Sequence, residues 1–186
     1  KTYLCIDLKS FYASVECVEL GLDPFKVNLV VADPTRGGGA ITLAATPAIK
    51  KLGVSSRGRI FEIDPKIEYM ITPPRMHLYM EYSCKVYKVF LEFIAKEDIH
   101  VYSIDESFLD VTSYLKLYQV NANELAKKML DRIYEKTGLT ATVGIGTNLY
   151  LAKIAMDISA KHNADRIAYL NEDLYRQTLW HHTPMT

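Results

Sequence analysis

Apolar and polar residues change their spacing several times along the chain, and each change predicts a different element. The run YLCIDL near the start is short and apolar, which is typical of a buried strand over about residues 3–7. After a short polar step, Phe11, Val15 and Val18 recur at helical spacing, and Leu22 extends the series. The chain is therefore predicted to begin with a strand that is followed by a helix.

Residues 21–75 have a different character. They hold most of the prolines and glycines, and they contain only short strand-like runs such as VNLVVA and AITLAA. We interpret this stretch as a small α/β subdomain that is inserted into a larger domain.

The pattern after the insertion is regular again. A long amphipathic helix over about residues 76–95 is predicted by three- and four-residue steps between Tyr79, Tyr82, Val86, Val89 and Phe93. Two short strands, HVYSI and SFLDV, follow this helix.

A second helix is expected over residues 121–137. Asn121 and Glu124 stand in the relation of a capping box, and Gly138 supplies the end of the helix. The run TATVGIG predicts a strand, and Asn148 can cap one more helix. Without the insertion the order is βαββαβ, which favours an α+β class with a ferredoxin-like antiparallel sheet and helices on one face.

Composition limits the classes of protein that the chain can represent. Nearly half of the residues are hydrophobic, and 22 basic residues balance 22 acidic ones, so the chain is expected to fold and has no global basic field. No apolar run is long enough to span a membrane, so we expect a soluble cytosolic protein. Cys5, Cys17 and Cys84 lack the spacing of a disulfide framework or a zinc site and are expected to be buried.

Candidate chemistry begins with carboxylates at predicted strand ends. Asp105 and Glu106 interrupt HVYSIDESFLDVT, and Asp7 lies near the end of the first strand. The βαββαβ order allows the three to converge, and a divalent metal ion is the usual agent that neutralises such a group. A solvated hairpin turn is the alternative for an isolated Asp-Glu pair.

Three segments carry a resemblance to a known family. DLKSFYASVE at residues 7–16, YSIDESFLDV at 102–111 and TVGIGTNLYLAKIAMDISAK at 142–161 resemble consecutive signature segments of the Y-family DNA polymerases. The segments around residues 36–54 resemble the UmuC-like bacterial branch more than the DinB-like one. The resemblance implies translesion synthesis by two-metal nucleotidyl transfer from a dNTP to a primer 3′-hydroxyl, in DNA damage tolerance and the SOS response.

The resemblance also assigns metal ligands. It implies that two Mg²⁺ ions, for which Mn²⁺ can substitute, are held by the side chains of Asp7, Asp105 and Glu106 and by the backbone carbonyl of Leu8.

The same resemblance divides the chain into subdomains. It implies a palm formed by residues 1–20 and 76–166, fingers formed by residues 21–75, and the truncated start of a thumb over residues 167–186.

Nucleotide contacts are implied at five positions. Tyr12 matches the aromatic steric gate that rejects a ribose 2′-hydroxyl, and Phe11 packs beside it, although an early FY pair in a helix is more often core. Thr46 and Lys50 lie in the fingers segment TPAIK, where Lys50 replaces an arginine and offers a point charge without a bidentate fork. Lys161 matches a phosphate-binding lysine, with a surface lysine that favours the helix dipole as the alternative.

DNA contacts are expected at Arg57, Arg59 and Lys153. The two arginines lie near glycines in segments that could equally be flexible loops. Lys153 resembles a lysine that faces phosphates, and a solvated ion pair with Asp157 four residues later is the alternative.

The balanced charge gives this chain little surplus for binding a polyanion. In the family, a thumb and a little-finger domain supply the grip on primer-template DNA, so the chain is expected to be an N-terminal fragment with little activity by itself. The resemblance further implies accessory replication or damage-response proteins, no membrane partner, and a bacterial cytoplasmic location near the nucleoid. Two rival functions are a non-catalytic polymerase-like binding module and a palm-fold nucleotide cyclase, for which a GG(D/E)EF-like hairpin is lacking.

Overall fold

The computed structural model describes residues 1–182 and shows a mixed α/β protein. Residues 183–186, the last part of the expected thumb segment, lie outside the described residues. The strands of the described chain are β1 (Tyr3–Leu8), β2 (Leu29–Val31), β3 (Ala44–Ala45), β4 (Met70–Thr72), β5 (Ile99–Val101), β6 (Glu106–Asp110), β7 (Ala141–Gly146) and β8 (Ile167–Leu170).

The helices alternate with these strands and include one irregular stretch. The α-helices of the described chain are α1 (Phe11–Glu19), α2 (Pro47–Lys50), α3 (Met76–Leu91), α4 (Thr112–Tyr118), α5 (Ala122–Thr137), α6 (Leu149–Ile154) and α7 (Glu172–Thr178). Helix α6 continues directly into a π-helical segment, Ala155–Ser159, and then into a 3₁₀ turn, Ala160–His162. The expected combination of helices and β-sheets in one chain is thus confirmed.

Packing divides the chain into two compact units. One, which we call the sheet unit, comprises Lys1–Leu8, Val86–Lys136 and the described residues from Thr140 onward. The other, which we call the insert unit, comprises Lys9–Lys85 together with Thr137–Leu139.

The sheet unit is built on one five-stranded sheet with the order β5-β6-β1-β7-β8. All neighbouring pairs are antiparallel except β7 and β8, which are parallel. Strand β1 lies in the centre because its residues are apolar on both faces, and Leu4, Cys5 and Ile6 are almost completely buried. The carboxyl end of this central strand carries Asp7.

Helix α6 and its continuation lie unusually close to the sheet. A Cβ added to Gly144 would overlap the backbone of Ala152 and Met156, and one added to Gly146 would lie 2.8 Å from the Cα of Ala152. Ala152 and Met156 pack with Cys5 and other apolar side chains of the same sheet face. The two glycines of VGIG therefore allow the helix to approach the strands, which explains their place in the sequence.

Local signals in the sequence set the helix ends. In the capping box of α5, the Asn121 backbone N–H donates to Glu124 at 2.9 Å, and the Glu124 N–H donates to the Asn121 side chain at 2.9 Å. Gly138 follows the helix with a positive φ of 71°. The Asn148 side chain accepts from the Leu151 N–H at 2.9 Å and caps α6. These predicted caps are confirmed.

The insert unit contains a small three-stranded sheet with the order β3-β2-β4. Its core packs Val30, Ala45, Ile49 and Ile63. The Thr46 hydroxyl donates to the Val27 carbonyl at 2.7 Å and accepts from the Leu29 N–H at 3.1 Å, so it joins the start of α2 to strand β2.

Several features differ from the sequence-based expectations. The segment from residue 167, predicted as the start of a thumb, begins with strand β8, because Ile167 and Leu170 are buried at the sheet edge, and helix α7 follows this strand. No sequence pattern described above predicts helix α4 or the π-helical segment. Cys84 is exposed, whereas Cys5 and Cys17 are buried as expected. No helix within residues 1–182 is both long and apolar enough to cross a lipid bilayer.

The close approach of α6 predicts a specific sensitivity to substitution. Gly146→Ala should destabilise the chain by roughly 3 kcal/mol or more, because the added methyl group would collide with backbone atoms that cannot rotate away. Gly39→Ala is the control, since its Cβ would meet nothing within 4 Å, and it should change stability by less than about 0.5 kcal/mol. Urea unfolding of both variants measures the difference, and equal stabilities would contradict the close contact.

Candidate active site

Two carboxylates face each other across the centre of the sheet unit. Asp7 of β1 and Glu106 of β6 are direct register partners in an antiparallel pair, so their side chains project from the same face. Cys5 lies two residues before Asp7 on that face, and its thiol donates to Glu106 Oε1 at 3.3 Å. Glu106 is buried, which excludes the alternative of a solvated turn for this residue.

Asp105 is held in place by the turn that joins β5 to β6. The backbone N–H groups of Tyr102 and Ser103 both donate to the Glu106 carbonyl at 3.0 Å. The Ser103 hydroxyl donates to Asp105 Oδ1 at 2.7 Å, and the Leu8 N–H donates to the Asp105 carbonyl at 2.9 Å. The turn therefore fixes Asp105 beside the end of β1.

Lysine side chains from the adjoining helix meet these carboxylates. Lys153, Asp157 and Lys161 recur at four-residue spacing, and Asp157 lies in the π-helical segment. Lys153 Nζ lies 2.7 Å from Glu106 Oε1 and 3.3 Å from Asp157 Oδ2, and Lys161 Nζ lies 2.8 Å from Asp157 Oδ1. We call Lys153, Asp157 and Lys161 the lysine ladder. Lys153 thus makes the ion pair with Asp157 and also contacts Glu106, a predicted catalytic residue.

Burial and charge shift the pKa values of this group. Burial raises the pKa of Asp7 to about 6, Lys161 opposes that rise, and the negative charges of Asp105 and Glu106 add to it. For Lys153, burial acts to lower the pKa, but the hydrogen bond from its ammonium to Glu106 and the nearby Asp157 outweigh burial and raise it. Burial also raises the pKa of the Cys5 thiol, with a further contribution from Glu106. The lysine thus stays charged while the thiol stays protonated.

The carboxylates do not form a closed metal-binding cluster in this conformation. Within residues 1–182, no three His, Cys, Asp or Glu side chains are grouped so that they could hold one ion. Glu106 is directed to Lys153 and Cys5, and Asp105 is directed to Ser103. The metal ligands assigned from the sequence therefore stay a prediction.

The insert unit carries the predicted sugar-binding residues. Ser10 adopts a left-handed conformation with φ 50°, which is uncommon for a non-glycine residue, and helix α1 begins directly after it. Phe11 is buried, and the half-buried Tyr12 ring stacks on Tyr79 with a centroid distance of 4.4 Å and an interplanar angle of 15°. Tyr12 is thus an aromatic residue that is only partly covered and supported from one side.

The two predicted phosphate-binding residues of TPAIK differ in their surroundings. Lys50 is exposed, and its ammonium donates to the Ser10 hydroxyl at 3.0 Å. Thr46 is completely buried, and its hydroxyl is engaged with the backbone of the insert unit. Thr46 therefore anchors the helix that presents Lys50.

The predicted DNA-binding arginines lie on the exposed surface of the insert unit. Arg57 and Arg59 are both exposed. The Arg59 guanidinium donates to the Gly39 carbonyl at 2.6 Å and so ties the glycine-rich stretch to the segment around residue 59.

Sequence reasoning missed several residues that the structure brings to these positions. Cys5 lies two residues before Asp7 on β1, and this spacing places both side chains on the same face of the strand, which is the signal that could have identified Cys5. The sequence predicts Asp157 as an ion-pair partner of Lys153, and the equal spacing of four residues to Lys161 is the signal that places Asp157 between two cations. The helical spacing predicts that Tyr79 lies on the core face of its helix, and no sequence pattern links it to Tyr12.

A scan against protein-family models matches the impB/mucB/samB family over residues 6–157. Curated relatives agree with this match. The chain is 39% identical over 189 residues to a protein of Bacillus subtilis (strain 168) named as the UV-damage repair protein UvrX, covering 100% of this chain and 44% of the relative. It is 37% identical over 184 residues to DNA polymerase IV 2 of the same organism, covering 97% of this chain and 43% of the relative. The chain thus spans less than half the length of these relatives.

Solved structures share the fold. A crystal structure of DinB from Sulfolobus solfataricus superposes with a TM-score of 0.79 at 28% identity, covering 95% of this chain and 50% of that one. An insertion ternary complex of Dbh DNA polymerase gives a TM-score of 0.78 at 26% identity, with 95% and 51% coverage.

These relatives carry names from more than one group, so the assignment to the UmuC-like branch stays a prediction. The family itself is shown by the model that spans most of the chain, by the curated relatives and by the shared fold. The chain belongs to the impB/mucB/samB family, that is, to the Y-family DNA polymerases.

Proposed function

We propose that this chain is the catalytic part of a translesion DNA polymerase, which transfers a nucleotide from a dNTP to a primer 3′-hydroxyl. The observation that carries the proposal is the pairing of Asp7 with Glu106 across the central strands, with Asp105 fixed next to them. Buried carboxylates are expensive unless cations meet them, and such groups concentrate at functional sites.

The donor set fits a hard divalent cation. Asp7, Asp105, Glu106 and the Leu8 carbonyl offer only oxygen atoms, which Mg²⁺ and Mn²⁺ prefer. When bound, two such ions would offset the negative charge that develops on the attacking and leaving oxygens. Glu106 would have to exchange its contact with Lys153 to serve as a ligand.

The lysines are suited to binding phosphates. Lys153 and Lys161 stay charged, since hydrogen bonds to carboxylates raise their pKa values against the effect of burial. On this proposal, the Lys153 ammonium holds Glu106 until the substrate arrives and then turns to a phosphate oxygen. Lys50, exposed on the insert unit, would add a point charge to the triphosphate.

Residues of the insert unit would select the nucleotide and support the DNA. The Tyr12 ring, with the buried Phe11 behind it, would meet the sugar and exclude a 2′-hydroxyl. The exposed Arg57 and Arg59 would meet the DNA backbone.

Partners and subdomains follow from the same proposal. Primer-template DNA and dNTP are the substrates, and accessory replication or damage-response proteins act on the whole polymerase. Residues 1–20 and 76–166 form the palm, residues 21–75 form the fingers, and the segment from residue 167 leads toward a thumb. Cytoplasmic location near the nucleoid is part of the proposal.

The first test removes the carboxylates. In a full-length polymerase that contains this chain, Asp105→Ala or Glu106→Ala should lower primer extension by at least about 1,000-fold, because several kcal/mol of transition-state stabilisation depend on them. Asp110→Ala is a matched control, since Asp110 ends the same strand but bonds to Thr112 and Lys1. Rates of extension on a primed template measure the effect.

Two results would count against the assignment. Unchanged extension by the carboxylate variants would remove their catalytic role. Metal-dependent dNTP binding by this chain, with no extension by the full-length protein, would favour the non-catalytic binding module instead.

The sugar-selecting role of Tyr12 is tested by removing its ring. Tyr12→Ala should raise the ratio of rNTP to dNTP insertion by at least about tenfold, because the ring is the group that would collide with a 2′-hydroxyl. Tyr12→Phe keeps the ring and should retain the selectivity of the parent. An unaltered ratio in Tyr12→Ala would exclude the gate role.

The ion pair of Lys153 with Glu106 predicts a coupled effect on stability. Without divalent cations, Lys153→Met should cost about 1–2 kcal/mol, because it leaves a carboxylate that is only 9% exposed without its cation. Adding Glu106→Gln should recover part of this loss, since the amide carries no charge to bury. Urea unfolding of the two single variants and the double variant measures the coupling, and purely additive losses would contradict it.

A further inference from the structure

The stacked pair of Tyr12 and Tyr79 depends on a buried network in the insert unit. The Tyr79 side chain is completely buried and contacts two rings, Tyr12 by parallel stacking and Phe11 edge to face at 6.4 Å. Tyr79 thus forms the surface on which the predicted sugar-selecting ring rests.

The far end of Tyr79 is fixed by a buried carboxylate. Its hydroxyl donates to Glu16 Oε1 at 2.6 Å. Arg75 donates to the same carboxylate through two nitrogens, Nε to Oε1 at 3.1 Å and Nη2 to Oε2 at 2.5 Å. Glu16 is only 2% exposed, so the arginine fork supplies the charge that makes its burial tolerable.

This network restricts the Tyr79 ring at both ends. The backbone of α3 holds one end, and a hydrogen bond to a charged acceptor, which is stronger than a neutral one, holds the other. Burial, followed by the bond to Glu16, raises the pKa of Tyr79, so its hydroxyl remains a donor at neutral pH.

We propose that Glu16, Arg75 and Tyr79 are positioning residues for the selection of deoxyribose over ribose, and that they act by holding the Tyr12 ring in its blocking position. The inference rests on the proposed polymerase function. Steric exclusion of one hydroxyl requires the excluding ring to stay within a fraction of an ångström of its place. A supporting ring that could shift would let Tyr12 give way to the 2′-hydroxyl.

The chain offers a matched pair of variants for the test. Tyr79→Phe removes the bond to Glu16 and keeps the ring. Tyr82→Phe removes a similar bond, from Tyr82 to Glu19 at 2.7 Å, between the same two helices. The control differs in what its ring supports: Tyr12 stacks on Tyr79, whereas the Tyr82 hydroxyl bonds to Glu19 and not to the Glu16 carboxylate that fixes Tyr79.

The measurement is single-nucleotide insertion on a primed template by the full-length polymerase, with kcat/KM determined for a dNTP and for the matching rNTP. Tyr79→Phe should lower the preference for the dNTP about tenfold, mainly by raising kcat/KM for the rNTP. Arg75→Lys, which keeps the charge but loses the fork, should change the preference in the same direction. Tyr82→Phe should keep the preference of the parent, and thermal unfolding should show that both tyrosine variants are folded.

The possible outcomes distinguish a failure of the positioning role of Glu16, Arg75 and Tyr79 from a failure of the proposed polymerase function. Suppose that the parent inserts dNTP selectively and that Tyr12→Ala relaxes this selectivity. If Tyr79→Phe then has the same preference as the parent or as Tyr82→Phe, the positioning role is refuted, and the proposed polymerase function stands. If Tyr79→Phe responds and Arg75→Lys does not, the role of the arginine is refuted. If the parent inserts no dNTP, the proposed function fails and the inference fails with it.

Discussion

The sheet unit depends on bringing positive charge to two carboxylates that face each other on neighbouring strands. Placing the carboxylates of Asp7 and Glu106 side by side on a covered sheet face costs free energy unless cations lie nearby. The cations must come from the helix that covers this face, and that helix must lie close enough for lysine side chains to reach. Gly144 and Gly146 allow this approach. The VGIG strand, the lysine ladder and the carboxylates therefore belong to a single electrostatic arrangement.

The insert unit also buries a carboxylate beside a cation, but the two groups are of different kinds. There the buried carboxylate is Glu16, and the cation is an arginine that approaches with both arms of its fork. In the sheet unit the cation is a lysine, which is a mobile point charge. The choice matches the proposed roles, because Glu16 has to stay where it is, whereas Glu106 has to exchange partners.

Much of this organisation could be predicted because it depends on neighbours in sequence. The capping box at Asn121 and the cap at Asn148 depend on residues three positions apart, and both are present. That Asp7 can approach Glu106 follows from element order, because βαββαβ connectivity places the first strand beside the hairpin, but their direct pairing in register is visible only in the structure. Features that depend on tertiary contact were missed. The helical spacing of apolar residues in α3 predicts that Tyr79 is buried. The same spacing contains no information on the stacking of the Tyr12 ring on Tyr79. The π-helical segment is too short to show a characteristic spacing of apolar residues. Strand β8 forms by pairing with the edge of β7, and this edge exists only in the folded sheet.

Cys5 adds a consequence of a chemical kind. The thiolate, and not the thiol, is the nucleophile that reacts with alkylating agents and peroxides. The susceptibility of a cysteine to modification therefore follows its fraction of thiolate. Burial and the adjacent Glu106 raise the pKa of Cys5, and its side chain is completely covered. The cysteine closest to the carboxylates is thus chemically inert under oxidative stress, while the exposed Cys84 is the thiol that oxidants would reach first.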